Sequence, residues 1–89
     1  MVDCSHANSN KDYRRQHDVC NDVASQVGQG DKRIMGVMLE SHLVEGRQNV
    51  IKDQQLTYGQ SVTDACISWE STEVLLKNLA KSVQSRRSL

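Results

Sequence analysis

The sequence predicts an α/β fold on three observations. Short apolar segments alternate along the chain with two stretches of helical period. The middle segment, Ile34 to Leu39, is apolar without alternation, which suits a parallel strand covered on both faces. The resulting order of strand, helix, strand, long loop, strand and helix is the one in which helices carry the chain between parallel strands.

Each element has its own signal. Met1 to Ser5 is short and apolar-leaning, and the polar run Ala7-Asn8-Ser9-Asn10 that follows supplies capping residues, so a strand and then a loop are expected. From Lys11 to Val27, Tyr13, Gln16, Cys20, Val23 and Val27 recur three and four residues apart, while Arg14, Arg15, Asp18, Asn21 and Asp22 take the other face. That pattern is an amphipathic helix, and Gly28-Gln29-Gly30 is its exit. Ser41 to Gly59 has no sustained apolar period and is expected to be one long loop. Gln60 to Thr63 is a short strand ending near Asp64. From Ser68 onward Leu75, Leu76, Leu79, Ala80 and Val83 define one helix face, with Glu70 and Glu73 early and Lys81, Arg86 and Arg87 late, as the helix dipole favours.

Composition narrows the functional classes. Leu, Ile, Val and Phe make up 20 of the 89 residues, a thin supply for an independent core. Eleven Lys and Arg balance eleven Asp and Glu, so no global field recruits nucleic acid or a membrane surface, and neither is expected as a partner. Cys4, Cys20 and Cys66 form neither a CxxC pair nor a Cys/His knuckle, and read as reduced, buried thiols in a cytoplasmic protein. No apolar stretch approaches the roughly 20 residues that span a bilayer.

One potential metal ligand follows each expected strand: His6, Glu40 and Asp64. Strand ends are where α/β sheets place their sites, and a sheet that curves inward could bring the three together. One imidazole and two carboxylates suit Mn, Fe, Co or Zn, with a coordination position left for a substrate oxygen. The plainer alternative is that His6 caps a loop, Glu40 is solvated and Asp64 caps a turn. His17 falls on the polar side of its helix and His42 opens the long loop, so both are expected outside any site. The pairs Arg14-Arg15 and Arg86-Arg87 read as solvated faces.

Three blocks carry a resemblance to a known family: Asp3-Cys4-Ser5-His6-Ala7-Asn8-Ser9, the run from Gly36 to Gly46, and the run from Tyr58 to Glu70. In order and spacing they closely resemble the C-terminal part of 3-deoxy-7-phosphoheptulonate (DAHP) synthase, the microbial type regulated by aromatic amino acids. The resemblance implies a (β/α)8 TIM-barrel transferase that condenses phosphoenolpyruvate with erythrose 4-phosphate, the entry step of the shikimate pathway and aromatic amino-acid biosynthesis, in a homo-oligomeric parent. It places the family's His, Glu and Asp metal ligands on His6, Glu40 and Asp64, with a divalent ion as cofactor. The family's Cys ligand and its phosphate-holding Lys and Arg strand ends have no counterpart here.

A complete barrel takes roughly 250 residues. The expectation is therefore that residues 1–89 are a C-terminal fragment of a single barrel domain, about three β/α units, inactive alone. The rival expectation is a non-catalytic piece that binds metal weakly or only associates with itself.

Overall fold

The computed structural model describes all residues, Met1–Leu89. Strand β1 (Val2–Asp3) leads through a 3-10 turn at His6–Ser9 and a second at Tyr13–Arg15 into helix α1 (Gln16–Gly28). The Asp12 side chain caps that second turn by accepting from the Arg14 N–H. The first turn of the expected helix is thus 3-10 rather than α. After α1 the chain reverses through Gly30, at φ 105°, and returns as β2 (Val37–Met38), parallel to β1, with Val2 opposite Val37 and Asp3 opposite Met38. This is the expected parallel βαβ unit.

Beyond β2 the expectation needs correction. Residues 41–59 are not one loop, since Val44–Arg47 forms strand β3, which pairs in parallel with β4 (Gln60–Ser61) as a second two-stranded sheet. Gly59, at φ 81°, allows the pairing, because a Cβ there would stand 2.8 Å from the Cβ of Leu43. β4 does not pair with β2; just past β2 Ile67 bridges Ser41 in parallel, while Cys66 bridges Gly46 in the antiparallel sense. β2 is also shorter than the apolar run Ile34 to Leu39 and only half-buried, and Met35 is exposed. The apolar character of the run is real, but this chain supplies a covering layer for one face alone.

Helix α2 (Trp69–Arg87) starts at Ser68, whose side chain accepts from the Ser71 N–H, and its charges fall as the dipole favours. It packs on α1, with Ser82 against Gly28. Cys4, Cys20, Ile67 and Leu75 form the core, with Tyr13, Val19, Val37, Leu39 and Leu79 around them. Of the expected α2 face, Leu75 is buried and Leu79 and Val83 are half-buried, whereas Leu76 and Ala80 are exposed. Arg86 is not part of a solvated face. One of its Nη groups donates to the carbonyls of Asp31 (2.9 Å) and Ile34 (2.7 Å), fastening the end of α2 to the α1–β2 corner. The parallel strands with helices packed on one side make an α/β arrangement with no closed barrel.

Candidate metal centre

His6, Glu40 and Asp64, singled out by position along the chain, converge in space, with one donor atom from each lying within 4.8 Å of the others. His6 Nε2 stands 3.6 Å from Glu40 Oε1 and 3.7 Å from Asp64 Oδ2. Around an ion with bonds of about 2.0–2.2 Å, neighbouring donors sit roughly 3.0–3.6 Å apart, so the trio is close to the spacing a cation would impose. The donor chemistry, one imidazole nitrogen with two carboxylates, also fits a divalent transition ion.

Each donor is positioned differently. His6 follows β1 in a left-handed conformation, φ 49°, in a short loop where Asn10 and Lys11 are also left-handed. Its Nδ1 lies 2.9 Å from Asp3 Oδ2, which turns Nε2 toward the carboxylates. That hydrogen bond, then the charge of Glu40, raises the His6 pKa, and the same bond with the Ser5 N–H lowers that of Asp3. Glu40 follows β2 and is held through its backbone: its N–H donates to Gln16 Oε1 at 2.7 Å and its carbonyl accepts from Gln16 Nε2 at 3.1 Å. The Ser5 hydroxyl donates to Glu40 Oε1. Asp64 arrives differently from the strand-end expectation, from the turn between β4 and the bridging residue Ile67.

The trio lines a cleft of about 620 Å³ together with Ser5, Lys11, Tyr13, Arg47, Thr63 and Ala65. A slightly larger hollow, about 650 Å³, lies beside β1 and α1 and is lined by Asp18, Asp22, Asp31 and Arg33 but by no His or Cys. His17 and His42 lie outside the cleft. The former pairs with Asn21 on the exposed face of α1, and the latter accepts from the Leu43 N–H. The cysteines are all buried and free. Burial, with Cys20 alongside, pushes the Cys4 thiol up to about 12, and the Cys66 thiol, also raised by burial, donates to the Asp64 carbonyl. These are protonated core groups.

Asp3, Ser5 and Gln16, which hold His6 and Glu40, were not among the residues expected at the site. Gln16 carried a visible signal, being a polar side chain on the inward stripe of an amphipathic helix, where an amide needs a specific partner.

A parallel βαβ unit with His6 and Glu40 just past its two strands, and Asp64 brought beside them from a later turn, defines an α/β protein with a polar cluster at its strand ends. The chain belongs to the DAHP synthetase I family, which it matches over residues 1–77. It is 59% identical over 87 residues to the phospho-2-dehydro-3-deoxyheptonate aldolase of Haemophilus influenzae, a match covering 98% of this chain and 24% of that protein. It is 55% identical, over 98% of this chain and 25% of that protein, to the Phe-sensitive aldolase of that name from Escherichia coli. Among solved structures, the aldolase of Francisella tularensis superposes with a TM-score of 0.88 at 49% identity, over 97% of this chain and 25% of that one. The chain spans about a quarter of the length of these relatives. No helix is long and apolar enough to cross a membrane.

Proposed function

We propose that residues 1–89 form the C-terminal part of a DAHP synthase barrel, and that His6, Glu40 and Asp64 hold its divalent ion, Mn, Fe, Co or Zn. The parent reaction is condensation of phosphoenolpyruvate with erythrose 4-phosphate, releasing phosphate, in a cytoplasmic homo-oligomer. The observation that carries this reading is the approach of the three donors to within 4.8 Å. Family membership and the identity to the named aldolases support the reaction class.

In this reading the chain's residues act as a holder. Asp3 fixes the His6 ring so that Nε2 presents its lone pair, and Gln16 and Ser5 set the backbone and one carboxylate oxygen of Glu40. Asp64 closes the trio from the opposite loop and adds the second negative charge. The bound ion would supply Lewis acidity toward a carbonyl oxygen. Alone, the chain holds an ion without turnover, because three donors do not position two substrates.

The test is calorimetric titration of Mn²⁺ into the chain. Asp64→Asn keeps size but removes an anionic donor and is expected to weaken binding roughly tenfold or more, since even groups that only orient ligands are worth about 10–100-fold. His17→Ala should leave the affinity where it was. Parental Mn²⁺ affinity in the Asp64→Asn chain would remove Asp64 from the site.

A further inference from the structure

Tyr13 lines the cleft that gathers His6, Glu40 and Asp64, and it is mounted between segments that carry them. On one side is the loop after His6. There the Lys11 N–H donates to the His6 carbonyl at 2.7 Å and the Asp12 N–H to the Ser9 carbonyl at 3.0 Å, which leads the chain into the 3-10 turn that Tyr13 opens. On the other side is β3, where a Cβ on Gly46 would stand 3.8 Å from Tyr13 Oη. Gly46 is in turn tied to the segment that delivers Asp64, because its N–H donates to the Cys66 carbonyl at 2.8 Å and its carbonyl accepts from the Cys66 N–H at 3.1 Å. The ring packs against the core, and the Arg14 guanidinium stands 5.6 Å from its centre. A ring held in this way fixes where its hydroxyl lies.

The other hydroxyls of the cleft are engaged within the protein. Ser5 donates to Glu40 Oε1, and Thr63 pairs with Ser61. The Tyr13 hydroxyl makes no hydrogen bond to a protein group, and it is not sealed in either, since no buried side-chain polar atom of the molecule lacks a partner. A tyrosine packed on a core ordinarily directs its O–H at a partner. Here the free donor opens on the space that the three ion-binding groups share.

We propose that Tyr13 is a catalytic residue of the parent reaction, its hydroxyl donating a hydrogen bond to the carbonyl oxygen that the substrate presents to the ion site of His6, Glu40 and Asp64. The inference rests on the ion reading above and deepens it. As the new carbon–carbon bond forms at the carbonyl carbon, the carbonyl π pair moves onto that oxygen. A donor already aimed there interacts more strongly as the charge grows, and it needs no rearrangement at that moment. The phenol keeps its own proton.

The probe is pyruvate, whose adjacent carbonyl and carboxylate oxygens suit a divalent ion, and its binding is read from the broadening of its methyl NMR signal by Mn²⁺ held on the chain. Tyr13→Phe keeps the ring and its packing and removes only the hydroxyl. Pyruvate affinity of the Mn²⁺-loaded chain should fall roughly three- to tenfold in Tyr13→Phe, the scale of one hydrogen bond. Mn²⁺ affinity and the urea midpoint should stay at their parental values, because the hydroxyl serves neither the ion-binding groups nor the core. The inference is overturned if the Mn²⁺-loaded parent does not bind pyruvate, or if the two chains bind it equally. It is overturned as well if Tyr13→Phe loses Mn²⁺ affinity or urea stability in step with pyruvate, which would make Tyr13 a support of the site. Failure of the ion reading looks different: a parent that takes up no Mn²⁺, or an Asp64→Asn chain that keeps parental affinity, overturns both. Asp64-dependent Mn²⁺ binding with no effect of the hydroxyl on pyruvate overturns this inference alone.

Discussion

Gln16 is the residue on which the position of Glu40 depends. It is fully buried, and its amide reads both backbone groups of Glu40 across the gap between α1 and β2. Replacing it with Leu preserves bulk and helix propensity but strands the Glu40 N–H, while the Glu40 carbonyl keeps the Ile67 N–H as a partner at 2.9 Å. One buried unpaired donor costs about 1–3 kcal/mol. Urea unfolding of Gln16→Leu should show a stability loss of that size, and a variant as stable as the parent would mean that water replaces the amide. The sequence made His6, Glu40 and Asp64 legible because chemistry-bearing residues just past apolar runs are easy to see. It hid Ser5 and Gln16, because their partner Glu40 lies 35 and 24 residues away, which no local spacing reports; Asp3 is only three residues from His6, but their contact depends on the left-handed turn at His6, which the residue types do not signal.

Between elements, the α1–β2 corner is the point where α2 is fastened. Asp31 is the hub: its carboxylate takes the Arg33 guanidinium at 2.9 Å and the Arg33 N–H at 2.9 Å, while its carbonyl accepts from Arg86. The Arg33 side chain, then its N–H, holds the Asp31 pKa down to about 2 from an ordinary 3.8. A depressed carboxylate favours the folded corner when ionised, so its contribution is complete above pH 3.8 and disappears as the pH falls through about 2. Carboxyl-carbon NMR of Asp31 should therefore show a midpoint near 2, with the Ile34 and Arg86 signals shifting in the same step. A midpoint at 3.8 would mean that the Arg33 pairing is absent in solution. The helices around this corner were legible from their period, since burying one stripe is what makes a helix amphipathic. β3 was not, because Val44-Glu45-Gly46-Arg47 is exposed on most of its length and a solvated strand needs no apolar alternation. Missing β3 also left β4 without its true partner, since β4 pairs with β3 in a separate sheet.

The whole molecule is more open than its length warrants. Its radius of gyration is 15.1 Å, where a compact chain of this size has about 12 Å, and its longest dimension is 57 Å against 23 and 16 Å for the others. Its accessible surface is 6331 Å², where roughly 5,200 Å² is usual for 10.0 kDa, and only 13 of 89 residues are buried. The excess, about 1,100 Å², exceeds the roughly 800 Å² that each partner contributes to an ordinary interface. Around β3 and β4, Leu43, Val50, Ile51, Leu56, Tyr58 and Val62 are exposed, and β1 has a partner on one side only. Apolar surface and unpaired strand edges of this kind are templates for association. The isolated chain should therefore self-associate as its concentration rises from micromolar to near-millimolar, seen as a rising weight-average sedimentation coefficient. Ile51→Lys with Tyr58→Lys should weaken that association about tenfold, the scale of losing a small apolar contact, without altering the helical circular dichroism. A chain that sediments as a monomer throughout, with one sharp unfolding transition, would show that the thin core and open edges suffice for an independent domain.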